Sequence, residues 1–466
     1  MNYYMKFLLL ASVILTNSAC SINADSPNLL VSDAASQTIL IQGVDIFSGR
    51  DSVIIRHKDV LIANGFIKSI KDRIEARSDY TLIKGKGKTL MPGLIDSHVH
   101  LSGSGAVPWD NQKANIHYNL QAYLYAGITT IYDLGGLAGD LEKIANKLEN
   151  QELIGPSVFH THIPITVKNS HPIPLTEVML FWPLKNMVNS ISPTIDKPSE
   201  AAKLIEKYVG KNTDYVKVIC DQIPPGSPQM TFEQLEALVQ EAHKVHQKVI
   251  VHIGSPENAI TAIKAGADVL AHGVWRGKLS LDQAQFIANS KVPIIYTISG
   301  FKNVAEIHHG EFEPNDLDKK LVPKKVLDPV TGAKGMDVHC QEVMHEFFED
   351  VAAHSTYWEH NFKLLYQMGA PILVGTDSNL PGTYAGSTYF QELTELKNYG
   401  MSNFDILYGA TYGNAVLFLD KPNFGSVEEN QKADLLLLKG NPIENLEILR
   451  DPQYIFKSGR IVKRLK

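Results

Sequence analysis

The sequence predicts an α/β protein: a closed (β/α)8 barrel carrying a small β domain assembled from both chain ends. Three observations predict it. The middle of the 466-residue chain alternates short β-type runs with amphipathic stretches, as parallel βα units do. Both ends are instead rich in short β runs punctuated by glycine. The apolar run Met91 to Leu101, finally, carries two histidines, His98 and His100, spaced i and i+2. Alternate side chains of a strand share a face, so the two imidazoles project together and can hold one metal ion. Alone, the pair also reads as two unrelated histidines, and the rest of the chain has to decide.

Length and composition set the bounds. The chain exceeds one ordinary core, which calls for a large barrel with an accessory domain, or for two to three domains. Hydrophobic residues make up 44% and charged residues 20%, which indicates neither a disordered chain nor a multi-span membrane protein. A net charge of -6 gives no reason to expect nucleic acid, whose phosphates need a basic surface.

The chain opens on an address. Lys6 precedes the apolar run Phe7 to Leu15, followed by small and polar residues, the layout of a secretory signal peptide over residues 1–24. The run is too short to span a membrane stably. Cys20, after Ser18-Ala19, resembles a bacterial lipoprotein processing site, although Asn17 stands where an apolar residue is usual. Ordinary cleavage after Ala24 is the competing reading. The expectation is an exported protein, periplasmic or held to a membrane by a lipid on Cys20. Cys220 and Cys340 would then be the remaining cysteines, too few for a disulfide framework.

From Thr38 to Thr89 the β runs are Ile39 to Gly43, Val53 to Ile55, Val60 to Ile62 and Phe66 to Ile70, with Asn64-Gly65 between the last two. Asn-Gly between apolar runs is a strong hairpin signal. Asp434 to Pro442 and Tyr454 to Val462 have the same texture at the other end.

In the middle, strands are expected at the opening run, Gly127 to Asp133, Ser157 to Thr161, Tyr215 to Cys220, Val249 to Ile253, Val269 to His272, Val292 to Thr297 and Pro371 to Asp377. Helical stretches fall near Ala114 to Tyr125, Asp140 to Asn150, Glu200 to Val209, Phe232 to His246, Glu257 to Ala265 and Asp282 to Ser290. That is about eight units, enough to close a barrel. The segment from Phe301 to about Trp358 exceeds an ordinary βα loop and is expected to be a lid, 301–358. His308-His309 within it are read as solvated, adjacent residues of a strand pointing apart, and Asp316 to Lys325 as exposed surface.

Reacting groups of such barrels sit at the C-terminal strand ends. Taken in turn, these ends offer His98 and His100, then Lys217, His252, His272 and Asp377. A single strand-end histidine is more often a hydrogen-bonded core residue, but six candidate ligands at one mouth are hard to ascribe to chance. A lysine among Tyr215, Val216, Val218 and Ile219 is informative, because an unpaired buried ammonium is costly. His160, His162 and His171 follow the third strand and Tyr296 closes the seventh; these four are candidate substrate contacts.

Met91 to Leu101, Gly127-Ile128-Thr129-Thr130 with Asp133-Leu134-Gly135-Gly136, Gly375-Thr376-Asp377, and Lys432-Ala433-Asp434-Leu435 with Gly440-Asn441-Pro442 together resemble the amidohydrolase superfamily. The branch they resemble holds imidazolonepropionase-like enzymes and metal-dependent prolidase-type dipeptidases. The resemblance implies a distorted TIM-type barrel over 91–424 and a β-sandwich built from 28–90 with 425–466. It implies that His98, His100 and Asp377 bind one divalent ion, that His252 and His272 bind a second, and that Lys217 bridges both as a carbamate. Nitrogen and oxygen ligands without thiolates suit zinc, with iron and manganese as alternatives. Cys220 falls off the inward phase of Lys217 and is expected to pack. Phe390 stands where relatives often carry a polar residue, so no substrate contact is carried over there.

The implied chemistry is hydrolysis of a carbon–nitrogen bond by a metal-bridged hydroxide, with Asp377 moving the proton to the leaving nitrogen. The substrate expected is a small amide, cyclic amide or dipeptide. Alternatives are a deaminase or an esterase/lactonase on the same centre, or a non-catalytic binding protein on the same fold. The sequence does not define the oligomeric state.

Overall fold

A computed structural model of the chain describes residues 29–31, 38–110, 112–136, 138–179, 192–210, 212–330 and 342–465. The expected signal peptide, Cys20 and Cys340 lie outside them. The chain begins with strands β1 (Leu29–Val31), β2 (Ile39–Phe47), β3 (Ile54–Ala63), β4 (Phe66–Lys71), β5 (Thr81–Lys84) and β6 (Lys88–Pro92). Asn64 and Gly65, at φ 52° and 81°, form the β3–β4 turn. Asparagine and glycine are the residues that tolerate two successive positive φ angles.

The barrel strands follow: β7 (Leu94–Val99), β8 (Ile128–Asp133), β9 (Ser157–His160), β10 (Val216–Ile219), β11 (Val249–His252), β12 (Val269–Ala271), β13 (Ile294–Ile295) and β14 (Ile372–Leu373). β7-β8-β9 and β10 to β14 each pair in parallel and in chain order. Parallel bridges Ile165↔Val218 and Val99↔Ser378 join the two sets. The predicted (β/α)8 barrel is therefore present, with short seventh and eighth strands that distort it.

Helices cover the strands. In Phe232–Lys244, Leu235, Leu238, Val239 and Ala242 face the core at helical spacing, and Thr231 with Gln234 forms a capping box at its start. Val216, Val218 and Cys220 join this outer core. Tyr215 and Ile250 join the inner one with Tyr132, Val269, Ala271, Ile295 and Leu373. Strand alternation thus turns Lys217 and His252 inward.

The C-terminal strands are β15 (Leu435–Lys439), β16 (Tyr454–Lys457) and β17 (Arg460–Arg464). They join β1 to β6 in one nine-stranded sheet, ordered β1-β17-β16-β15-β6-β2-β3-β4 with β5 beside β2. The sheet folds over on itself: Phe66 bridges Lys432, and Ile67 N–H donates to Gln431 O at 2.9 Å. Ile41, Val60, Leu90, Leu435 and Phe456 fill the enclosed core.

Between barrel strands seven and eight, the described residues carry helices Ile298–His309, Asp316–Leu321, Lys324–Leu327 and Glu342–Ala353. Phe301, Val304, Ile307, Phe348 and Val351 of this layer are buried in the main core. Two expectations need correction. His308 and His309 end a helix rather than a strand, and His308 is half-buried. The run from Asp316 is not uniformly exposed, since Asp318 and Leu321 are buried; Asp318 accepts a hydrogen bond from Ser387. Among the described residues, no helix is long and apolar enough to cross a membrane.

Candidate metal centre

His98 lies near the end of β7 and His100 just beyond it, with their rings 5.5 Å apart. Asp377 follows β14 in the left-handed region, at φ 57°, which turns its side chain toward them. Its Oδ1 lies 3.0 Å from His98 Nε2 and 3.1 Å from His100 Nε2. Neither contact has hydrogen-bond alignment, and Oδ1 has no hydrogen-bond partner. The three residues offer ligand atoms within 4.8 Å of one another. Lone pairs that converge without satisfying each other suit a shared cation.

A second group stands beside the first. His272 Nε2 is 3.0 Å from His252 Nδ1, and the His98 and His272 rings are 4.7 Å apart. His272 is left-handed at φ 75°, as is Thr297 at φ 52°, and Thr297 Oγ1 meets His272 Nδ1 at 2.7 Å. Such backbone strain gathers where geometry is dictated by function.

Lys217 is buried, and its Nζ has no hydrogen-bond partner. Burial pushes its ammonium down to about 7, opposed by the charge of Asp377. Its field is felt by His98, His171, His252 and His272, so it lies among both groups. Burial holds His98 and His171 down to about 3 and lowers His252 and His272 as well. His98, His252 and His272 are therefore neutral and able to ligate, whereas at His100 burial is outweighed by Asp377, which raises it. Burial raises the Asp377 carboxyl, but His98, His100 and His272 outweigh it and hold it below the usual range. Neutral imidazoles, an ionised carboxylate and an orphaned amine fit divalent metal ions.

Of the four expected substrate contacts, the structure brings one to the centre: the His171 ring is 5.0 Å from that of His252. His162 packs on Tyr208 at 5.4 Å and its Nδ1 accepts from Ile163 N–H at 2.7 Å. His160 and Tyr296 must be corrected. Phe159 fills the inner face of β9, so His160 points outward, where it borders a cleft of about 780 Å3 between the barrel base and the β domain. Tyr296 also points outward, onto the Phe362 ring at 4.9 Å, leaving Ile295 as the inward residue.

Four residues were missed. Asp96, fully buried, accepts from Thr376 Oγ1 at 2.7 Å and Thr376 N–H at 3.1 Å, tying the first strand to the last. Burial pushes its carboxyl up to about 8. Its signal was its place two residues before His98. Thr297 had no signal beyond its strand end. Asp221 shares the face of Lys217, and burial is outweighed there by His252 and Arg276, which hold it down to about 2. Arg276 follows the sixth strand and donates to Asp221 Oδ1.

Four likenesses bear on this arrangement. Ochratoxinase of Aspergillus niger is 21% identical over 92% of this chain and 88% of its own length. Imidazolonepropionase of Ectopseudomonas mendocina is 23% identical over 36% of this chain and 42% of its own. The crystal structure of a Xaa-Pro dipeptidase with bound methionine in the active site superposes with a TM-score of 0.72 at 21% identity, covering 91% of this chain and 99% of that one; it shares the fold. The model of the amidohydrolase family matches residues 89–463. That span is most of the protein, and the chain therefore belongs to the amidohydrolase family: it is a hydrolase of carbon–nitrogen bonds.

Proposed function

We propose that the chain hydrolyses an amide bond of a small molecule or dipeptide at a centre of two divalent ions. The observation that carries this reading is the pairing of His98, His100 and Asp377 with His252 and His272 around the unpaired amine of Lys217. The first three residues would hold one ion, the two histidines the other, and Lys217, as a carbamate, both. Zinc suits these donors. The ions, when bound, polarise the scissile carbonyl and lower the pKa of water towards neutrality.

The remaining work falls to side chains of this protein. Asp377, ionised at neutral pH, takes the proton of the attacking water and returns it to the leaving nitrogen. Thr297 fixes the ring of His272 through its Nδ1, an outer hydrogen bond of the kind that orients metal-binding histidines. Asp96 holds the strand of His98 against the chain leading to Asp377. His171, beside His252, faces the incoming substrate.

A dipeptide or a related amide is favoured by the ochratoxinase and Xaa-Pro dipeptidase likenesses over nearly the whole chain. The leader pattern at Lys6 and Phe7 to Leu15 adds export to the proposal, and fatty-acid labelling of Cys20 tests the anchor. Metal-loaded protein should be assayed against a dipeptide library, cyclic amides, lactones and amino-substituted heterocycles. Turnover of a dipeptide or amide is expected. Activity confined to lactones or to deamination would overturn the amide reading.

A further inference from the structure

The helical layer between barrel strands seven and eight touches the second group directly through Phe301 and also reaches toward it through Arg276. Asp350 lies on the helix Glu342–Ala353, and its Oδ2 accepts from Arg276 Nε at 2.9 Å and Nη2 at 2.7 Å. Nη2 also donates to Gln222 O at 2.9 Å, and Nη1 donates to Asp221 Oδ1. One guanidinium thus spans two carboxylates, a fork that lysine cannot reproduce.

Asp221 continues the chain. Its side chain is fully buried, and its Oδ2 lies 3.4 Å from His252 Nε2. Neither atom has a hydrogen-bond partner. Buried polar atoms rarely stay unpaired, and these two face each other. Room for the carboxylate depends on Gly254, where an added Cβ would sit 2.3 Å from Asp221 Oδ2. A second path runs parallel: Arg276 stacks 4.3 Å over the Trp275 ring, Trp275 stacks on Phe301 at 4.9 Å, and Phe301 meets His272 edge-on at 5.4 Å. Both paths end on the two histidines of the second group, and neither reaches His98 or His100.

We propose that Asp350 is a positioning residue: through Arg276 and Asp221 it sets the orientation of His252, and so the affinity of the second ion alone. The inference rests on the proposed role of His252 as a ligand. Asp221 supplies the outer carboxylate that fixes ring and tautomer while Nδ1 faces His272. The helical layer, through Asp350, holds that carboxylate in place.

The test is a chelator competition on the full chain, reading the affinity of each zinc ion separately in wild type, Asp350→Ala and Asp350→Asn. Removing an outer partner of a metal ligand costs about 10–100-fold in affinity. A loss of about 10-fold at one ion is expected in both variants, with the other unchanged. Asp350→Glu should restore most of the loss, and Arg276→Lys should reproduce it. Unchanged affinities in the Asp350 variants would overturn the inference while leaving the two-ion centre standing. Equal weakening of both ions, with a lower melting temperature, would reduce Asp350 to a structural role and overturn it too. A wild type that holds no second ion would overturn the centre itself and the inference with it.

Discussion

Lys217 is buried and Lys457 half-buried, at opposite ends of the same barrel. Lys457, at the base, donates to Thr129 O at 2.9 Å, Ser157 Oγ at 2.7 Å and Asp434 Oδ2 at 2.7 Å. It thereby fastens β16 of the folded-over sheet to β8 and β9. Below the mouth residues an aromatic plug fills the barrel, Tyr215 stacking on Phe418 at 4.3 Å and Tyr132 on Phe159 at 5.0 Å. Lys217, at the mouth, meets no hydrogen-bond acceptor. At the base, Lys457 finds three acceptors and helps hold the fold together. The mouth leaves Lys217 Nζ, His252 Nε2 and Asp377 Oδ1 unpaired and strains its backbone at His272, Thr297 and Asp377, as binding centres do.

Substitutions at the two ends should therefore separate activity from stability. The largest effect is expected for Asp377→Asn, which should lower kcat by roughly 10^2–10^4-fold and leave the circular dichroism and melting temperature near wild type. Collapse of the fold would show that the mouth also carries stability. Lys457→Met should do the reverse. It removes the cation from buried Asp434, at about 2–4 kcal/mol, the low side of breaking a buried pair because Lys457 is only half-buried, without changing metal content. Urea unfolding and elemental analysis of one preparation check both halves.

Glu392 sharpens the contrast, being a satisfied carboxyl on the mouth side. It accepts from Ile298 N–H at 3.1 Å and Ser299 N–H at 2.7 Å, and burial pushes it up to about 7. With the folded value raised, the native state holds the proton longer than the unfolded one. Its contribution is full below about pH 4.5 and is lost as pH rises through 7, on the order of 3 kcal/mol in all. Glu392→Gln should gain stability relative to wild type between pH 4.5 and 8, read as a difference in urea midpoints. A constant difference would refute the assignment. The smallest effect is expected for Tyr296→Phe. Its hydroxyl is buried without a hydrogen-bond partner on the outer side of the barrel, so stability should change by less than about 1 kcal/mol and KM should not move. A several-fold change in KM would return Tyr296 to the substrate pocket.

The alternation of strands and helices makes the barrel legible in the sequence, and its strand ends point to His98, His100, His252, His272 and Asp377. Phase was harder to read where strands are short. Ile294, Ile295 and Tyr296 are all apolar, so nothing in that run says which residue faces inward. The two-residue strand and the left-handed Thr297 settle it against Tyr296. His160 was misread because Phe159, its neighbour, holds the inward position. His308 and His309 were misread because a helix was taken for a strand, although Phe301, Val304 and Ala305 carry helical spacing. The Asp221–Arg276–Asp350 chain was invisible for a different reason: its partners stand 55 and 74 residues apart, and only the closed barrel brings them together.

The central claim is that the unpaired amine of Lys217 exists to join two ions, and metal counting tests it directly. After reconstitution with zinc and gel filtration, elemental analysis should find close to two ions per wild-type chain and close to one in Lys217→Ala. An unchanged ratio in Lys217→Ala, or a single ion in wild type, would contradict the account.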